Sequence, residues 1–316
     1  MLKIGDLTLR SNLILAPMAG ISDLPFRLLN RGFGCELAFV EMINVRSLGH
    51  KNKKTRKMLT RDKKDRPLGV QILGCEPEYI LKGMDALSKN YEYDILDFNA
   101  ACPVKKVTRR GEGAALLKEP KKLHEILKLI VKNSQAPVTV KIRTGWDSGS
   151  VNAKETALAS QDAGVSAIFV HGRDKAQGYS GDVDYVSIKK VKDSVGIPVI
   201  ASGNIFTREA ARETMDKTGC DAALVARGAL GNPWIFKGVS PSIEEIADVM
   251  ERHFNSCVDF YDVKKAVKIF RKFFGWYAKG FSGVRQLRQK AYGARTKEDI
   301  MAAIKEFRCQ KGVLVE

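Results

Sequence analysis

Eight short apolar, β-leaning runs recur along the chain with helix-compatible stretches between them, and this alternation restricts the fold more than any other feature. The runs are Leu13 to Ala16, Leu37 to Val40, Leu68 to Ile72, Asp94 to Phe98, Val138 to Ile142, Ala167 to Val170, Pro198 to Ala201 and Ala222 to Ala226. Amphipathic segments such as Pro77 to Leu87, Lys121 to Lys132 and Arg208 to Lys217 lie between them. Parallel strands need crossover connections of this kind. Eight such units in about 240 residues match the size of a (β/α)8 barrel, whereas a doubly wound sheet shows fewer strands and a glycine fingerprint after the first. The look-alike Gly111-Glu112-Gly113-Ala114-Ala115-Leu116 lacks the third glycine and follows no strand-like run, so it is not that fingerprint. The expected fold class is α/β, a TIM barrel.

After Pro233-Trp234-Ile235-Phe236 the period changes. From Ile243 to Phe307 the spacing is helical and no strand-like run appears. A boundary near Ser240 divides the 316 residues into a barrel, 1–240, and a small C-terminal all-helical domain, 241–316.

The net charge is +17, and its distribution points to a polyanionic partner. Lys264 to Lys297 contains eleven Lys or Arg and no Asp or Glu, interleaved with Phe270, Phe273, Phe274, Trp276, Tyr277, Phe281 and Tyr292. Most of these aromatic residues are expected to form core on one helix face beneath a cationic surface. Arg46 to Arg66 carries ten basic residues against two acidic ones. Two such regions far apart in sequence suit an extended phosphate backbone better than a small anion. No apolar run approaches the roughly 20 residues of a membrane span, and the first residues lack a secretory apolar segment, so a cytoplasmic location is expected. The cysteines at 35, 75, 102, 220, 257 and 309 include no C-x-x-C pair, which signals neither a disulfide framework nor a metal site.

In a barrel, active residues come from the C-terminal ends of the strands and the loops after them. The successive ends carry Ala16-Pro17-Met18-Ala19-Gly20, Gln71, Asn99 with Cys102, Lys141 with Arg143, His171 with Arg173, Ser202-Gly203-Asn204 and Ala226-Arg227-Gly228. Backbone donors in the last two loops suit a phosphate. A flavin mononucleotide (FMN) would use them and would place its reduced, anionic ring beside Lys141.

These pieces together identify a family resemblance. Leu15 to Arg27, Val70-Gln71-Ile72, Asn99 to Val107, Val140 to Trp146, His171-Gly172-Arg173, Pro198 to Asn204 and Gly231 to Phe236 resemble the tRNA-dihydrouridine synthases in this order. The resemblance implies an FMN enzyme that reduces a uridine of tRNA to 5,6-dihydrouridine with NADPH. It implies Cys102 as proton donor, with the flavin held by Pro17, Met18, Ala19, Gln71, Lys141, Gly203, Asn204, Ala226 and Arg227, and with Asn99, Arg143 and His171 close to the flavin or the target uracil; His171 is placed with the flavin, to which Ser202 is added from its strand end. Asn99, Arg143 and Arg173 are expected at the substrate, and Lys105 and Lys106 on its phosphate backbone. The barrel then carries FMN and the helical domain tRNA; no metal is called for, and a monomer is expected. Ala101 stands where the family often has glycine and Asp174 where threonine is common, and the chain past Ser240 matches weakly.

The chemistry agrees. Reducing C5–C6 of uracil needs an acid for C5, and a cysteine near its ordinary pKa of about 8.5 is mostly protonated at neutral pH. A uracil in folded tRNA must first be turned out of its stack. Two other readings use the same residues: a flavin-dependent dihydroorotate or dihydropyrimidine oxidoreductase, against which the cationic regions argue, and an RNA-binding factor on a retired barrel, against which the intact strand ends argue.

Overall fold

The structure, a computed structural model, describes residues 1–48 and 52–310. Lys51, one of the cations in the Arg46 to Arg66 cluster, and the final six residues of the expected helical domain lie outside the described residues. By its contacts the chain separates into two compact units, Met1–Asp23 with Cys35–Arg227, and Leu24–Gly34 with Gly228–Glu316.

The first unit contains strands β1 (Leu2–Ile4), β2 (Leu7–Leu9), β3 (Leu13–Leu15), β4 (Leu37–Phe39), β5 (Ile43–Asn44), β6 (Leu68–Leu73), β7 (Ile95–Asn99), β8 (Val138–Arg143), β9 (Ala167–His171), β10 (Val199–Ser202) and β11 (Ala222–Val225). Eight of them pair in parallel around a closed ring, β3-β4-β6-β7-β8-β9-β10-β11, with β11 returning to β3 through Ala223 opposite Leu13. These are the eight runs of the sequence, now a TIM barrel. β7, β8, β9 and β10 each end one residue later than the apolar run that announced them, because their last residues, Asn99, Arg143, His171 and Ser202, are polar yet still carry ladder pairs.

Alternation sorts each strand into two faces. Leu96, Phe98, Val138, Val140, Ile142, Ile168 and Val170 point outward into the layer beneath the helices. Ile95, Phe169, Ile200 and Leu224 point inward, where they meet Leu2, Ile4 and Leu9 of the antiparallel β1–β2 hairpin. That hairpin was not among the strand runs read from the sequence. Its buried leucines and isoleucine close the barrel interior, each contributing roughly 1.5–3 kcal/mol relative to exposure. Phe39 lies edge-on to Phe169 with ring centroids 5.7 Å apart. Gly69 permits this, since a Cβ there would sit 2.2 Å from the Phe39 ring. Above this apolar floor the inward positions turn polar: Gln71, Asp97 and Asn99, Thr139, Lys141 and Arg143, and His171.

The second unit is helical: Leu24–Arg31, Ile243–Phe260, Val263–Tyr277, Arg285–Gly293 and Lys297–Arg308. Ser242 with Glu245, and Thr296 with Asp299, form capping boxes that satisfy helix N-terminal amides. Phe254, Phe270, Phe273, Phe274 and Phe307 are fully buried, whereas Lys264, Lys265 and Lys268 stand on the exposed face of the same helix that buries Phe270 and Phe273. Trp276 and Phe281 are half-buried. Among the described residues no helix is long and apolar enough to cross a membrane, and no group of three or more His, Cys, Asp or Glu side chains could hold a metal ion.

Candidate active site

A line of hydrogen bonds crosses three strands at the mouth of the barrel. Thr139 Oγ1 donates to Asp97 Oδ1 at 2.6 Å, and Gln71 Nε2 donates to Asp97 Oδ2 at 2.7 Å. Asn99 Nδ2 donates to Gln71 Oε1 at 2.9 Å. Asn99 Oδ1 in turn accepts from the backbone N–H of Cys102 at 2.8 Å and of Ala101 at 3.1 Å. The asparagine three residues before the thiol thus caps the loop that carries it. From the other side, the Cys102 carbonyl accepts from Ala114 N at 3.1 Å.

Burial sets the proton states here. Cys102 is half-buried, and burial pushes its thiol upward despite the pull of the Val104 N–H, Arg143 and Lys141, so it is held as the acid. Burial likewise raises Asp97 to about 6, against the opposing effect of Thr139, Gln71 and Lys141. Lys141 is brought down to about 8 by burial and by Arg143, which leaves it cationic at neutral pH. His171 falls to about 2 through burial and the surrounding Lys141, Arg143, Arg173 and Arg227, so it acts as a neutral imidazole.

Two arginines brace the loop after β9. Arg143 Nε donates to the Ala101 carbonyl at 2.7 Å, and its Nη1 donates to the carbonyls of Asp174 and Gly178, both at 2.9 Å. Arg173 Nε donates to the Ser180 carbonyl at 2.9 Å, and its Nη2 to Asn204 Oδ1 at 3.2 Å. Arg227 Nη2 approaches the same Asn204 oxygen at 3.4 Å. Two guanidiniums converging on one amide oxygen repel each other, and Arg173 is pushed below the ordinary guanidinium range first by burial and then by Arg227. Arg173 is 2% exposed, yet its Nη1 has no hydrogen-bond partner. Asn204 has φ +52° and Gly203 φ +133°, a turn that few residues adopt. An orphaned buried donor, a second cation and this turn fit a phosphate group; a neutral group would leave the repulsion standing.

The comparisons with known proteins agree with one another. The profile described as "Dihydrouridine synthase (Dus)" matches residues 14–310. The tRNA-dihydrouridine synthase B of Pasteurella multocida is 36% identical over 95% of this chain and 94% of its own length. A probable tRNA-dihydrouridine synthase of Rickettsia conorii is 37% identical over 91% of this chain and 90% of its own. The chain belongs to the dihydrouridine synthase family. Among solved structures, 6-hydroxypseudooxynicotine amine oxidase from Pseudomonas geniculata N1 superposes with a TM-score of 0.58 at 12% identity, over 78% of this chain and 52% of that one, a likeness of fold alone.

In this dihydrouridine synthase the residues expected from the strand ends fall into three groups. Gln71, Asn99, Cys102, Lys141, Arg143 and His171 share hydrogen bonds or electrostatic influence around the thiol. Arg173, expected at the substrate, instead meets Asn204 and Arg227 in the cationic corner, and Ser202 and Gly203, just before Asn204 in the chain, are buried. Pro17, Met18, Ala19 and Ala226 lie at the ends of β3 and β11, where Ser22 closes the loop by accepting from Met18 N and donating to the Ala16 carbonyl. Lys105 and Lys106 are exposed on the short helix Lys105–Thr108. Ala101 supplies the carbonyl to Arg143, and Asp174 Oδ1 accepts from Gln177 N at 2.7 Å to shape the following turn.

Sequence reasoning passed over three participants. Asp97 and Thr139 occupy inward positions two residues before Asn99 and Lys141, and a polar residue inside a buried strand was the available signal. Tyr179 is 61% exposed and lies 5.6 Å from the Arg143 guanidinium, 5.5 Å from that of Arg227 and 6.3 Å from the His171 ring. Nothing in its local sequence announced that position, which the fold of the 173–181 loop creates.

Proposed function

We propose that the chain reduces a uridine of tRNA to 5,6-dihydrouridine, with FMN as its flavin and NADPH as electron source. The observation that carries this reading is the half-buried Cys102 thiol at the barrel mouth, on a loop whose amide Asn99 holds and under the influence of Lys141 and Arg143. When bound, the flavin would supply a hydride for C6 of the uracil. Pro17, Met18, Ala19, Gln71, Lys141, His171, Ser202, Gly203, Asn204, Ala226 and Arg227 would hold it, and Arg173, with its unpartnered nitrogen, would serve the phosphate end.

Cys102 keeps its proton at neutral pH and delivers it to C5 as general acid. Lys141 and Arg143 stabilise the negative charge that builds on the uracil oxygens while the proton is still on sulfur. Neutral His171 contributes a hydrogen bond without adding to the crowd of cations. Asn99 orients the substrate from the same side as the thiol.

The target uracil reaches this depth only when turned out of its stack, at a cost of a few kcal/mol. Lys105 and Lys106, with the exposed lysines of the helix Val263–Tyr277, offset that cost on the tRNA backbone. Residues 1–240 act as the catalytic domain and 241–316 as the tRNA-binding domain of a cytoplasmic monomer. Mapping dihydrouridine in tRNA from a strain that lacks this chain tests the reading. Loss of dihydrouridine at a defined position, restored by the intact chain but not by Cys102→Ala, is the expected result; a purified protein unable to take up FMN would sink it.

A further inference from the structure

Asp97 touches neither the thiol nor the groups assigned to the substrate, and the chemistry above makes no use of it. Yet a carboxylate in the interior of a barrel is costly to bury, and an apolar side chain there would pack against the floor without that cost. Its position is a specific one. It lies on β7 two residues before Asn99 and on the same face, opposite Thr139 in the β7–β8 ladder and opposite Gln71 in the β6–β7 ladder.

The direction of each hydrogen bond in the line follows from the carboxylate. An ionised carboxylate only accepts. Gln71 must therefore turn its nitrogen to Asp97, which leaves Gln71 Oε1 facing β7. Asn99 meets that oxygen with its own nitrogen, so Asn99 Oδ1 is left to accept from the Ala101 and Cys102 amides. With a donor at position 97 the line would run the other way. Gln71 would present nitrogen to Asn99, Asn99 would present nitrogen to the loop, and two backbone N–H groups would face a donor.

We propose that Asp97 is a positioning residue that, by fixing the hydrogen-bond direction of Gln71 and Asn99, seats the backbone of Cys102 for proton delivery. The role in delivery rests on the function proposed above; the seating of the loop does not. Thr139 and Gln71 are its hydrogen-bond partners, and Lys141 is the charged neighbour that acts on it.

The test is Asp97→Leu in the purified full chain, which removes the acceptor that orients Gln71; asparagine would not serve, since its oxygen could still accept from Gln71 while its nitrogen donates to Thr139. Iodoacetamide labelling of Cys102, followed by peptide mass spectrometry, is expected to be about fivefold faster at neutral pH, as the loop loses one or two hydrogen bonds. The kcat for tRNA reduction is expected to fall about 10- to 100-fold with KM for tRNA unchanged. Adding Gln71→Glu to Asp97→Leu restores a fixed acceptor for Asn99, and should return the labelling rate to within about twofold of the unsubstituted chain. A structural filler would show no such reciprocal rescue. Labelling by the double variant that stays as fast as in the single one overturns the directional argument, and unchanged labelling in Asp97→Leu overturns the proposal entirely.

Should Asp97→Leu fail to fold, Gln71→Met cuts the same line between Asp97 and Asn99. Hydrogen exchange at the Ala101 and Cys102 amides of that variant, corrected for intrinsic rate, should lose protection relative to the β7 amides; constant protection refutes the idea. Labelling and exchange need neither flavin nor tRNA. A chain that reduces no uridine would therefore defeat the proposed function while leaving the seating measurable, and an active chain whose loop ignores position 97 would defeat only the proposal.

Discussion

Replacing Gly113 with alanine should damage catalysis through the loop that carries the thiol. Gly113 has φ +60°, and an added Cβ would lie 2.8 Å from the Cys102 carbonyl oxygen, 2.9 Å from Val107 Cγ1 and 3.1 Å from Cys102 Cβ. The left-handed backbone costs an alanine roughly 1–2 kcal/mol by itself. The contact adds to this, because the Cys102 carbonyl must retreat by about 0.6 Å to reach ordinary van der Waals distance. It cannot do so freely: Ala114 N holds that oxygen at 3.1 Å, Asn99 holds the Cys102 amide at 2.8 Å, and the Asn44 amide grips both Glu112 oxygens at 3.0 Å. The thiol must therefore shift by about half an ångström, enough to lower kcat about 10- to 100-fold. Gly219→Ala is the control, since Gly219 has φ +71° but its nearest new neighbour, Lys192 Cγ, lies at 3.9 Å. Both variants should melt a few degrees lower, at roughly 2–4 °C per kcal/mol, and only Gly113→Ala should lose turnover. Single-turnover reduction of tRNA and thermal melting of both proteins measure the two effects. A Gly113→Ala protein with unchanged turnover and lowered melting temperature would refute the coupling between this glycine and the thiol.

Cys102→Ala should remain yellow after FMN loading while dihydrouridine formation drops by at least about 100-fold, as expected when a general acid is removed; nucleoside mass spectrometry reads it. Flavin affinity should weaken as pH rises through about 8, where Lys141 loses its charge, and Lys141→Met should bind more weakly with that pH dependence abolished; fluorescence titration across pH follows both. His253, buried among Phe26, Phe270 and Phe273, is held down to about 3 by burial. Between about 6.5 and 3 the unfolded chain takes up a proton that the folded chain refuses, so stability is lost as pH falls, by about 2 kcal/mol at pH 5. His253→Phe should flatten that part of the melting-temperature profile. Replacing Lys264, Lys265 and Lys268 together by glutamine should raise KM for tRNA and reduce the salt slope of binding by about 2 to 3 if all three meet phosphate.

Much of the barrel was legible because strand and helix periods are local properties. A run such as Val138 to Ile142 announces a strand wherever it is placed, and eight of them leave few topologies. The residues at the strand ends were legible for the same reason, since a polar residue just past an apolar run reaches the mouth of any such barrel. The β1–β2 hairpin was not, because Leu2, Ile4 and Leu9 form strands only once the interior they close exists. The helix Leu24–Arg31 follows β3 in the chain, yet its contacts place it in the second compact unit, which no local pattern encodes. By itself, then, the sequence determined the architecture and the list of reactive groups around Cys102. Only the tertiary structure decided how they act: which way Gln71 and Asn99 point their amides, that Arg173 and Arg227 share one oxygen, that Tyr179 stands beside them, and that burial keeps the thiol protonated. Those properties depend on distances between residues tens of positions apart, and on the removal of water from charges, neither of which exists until the barrel has closed.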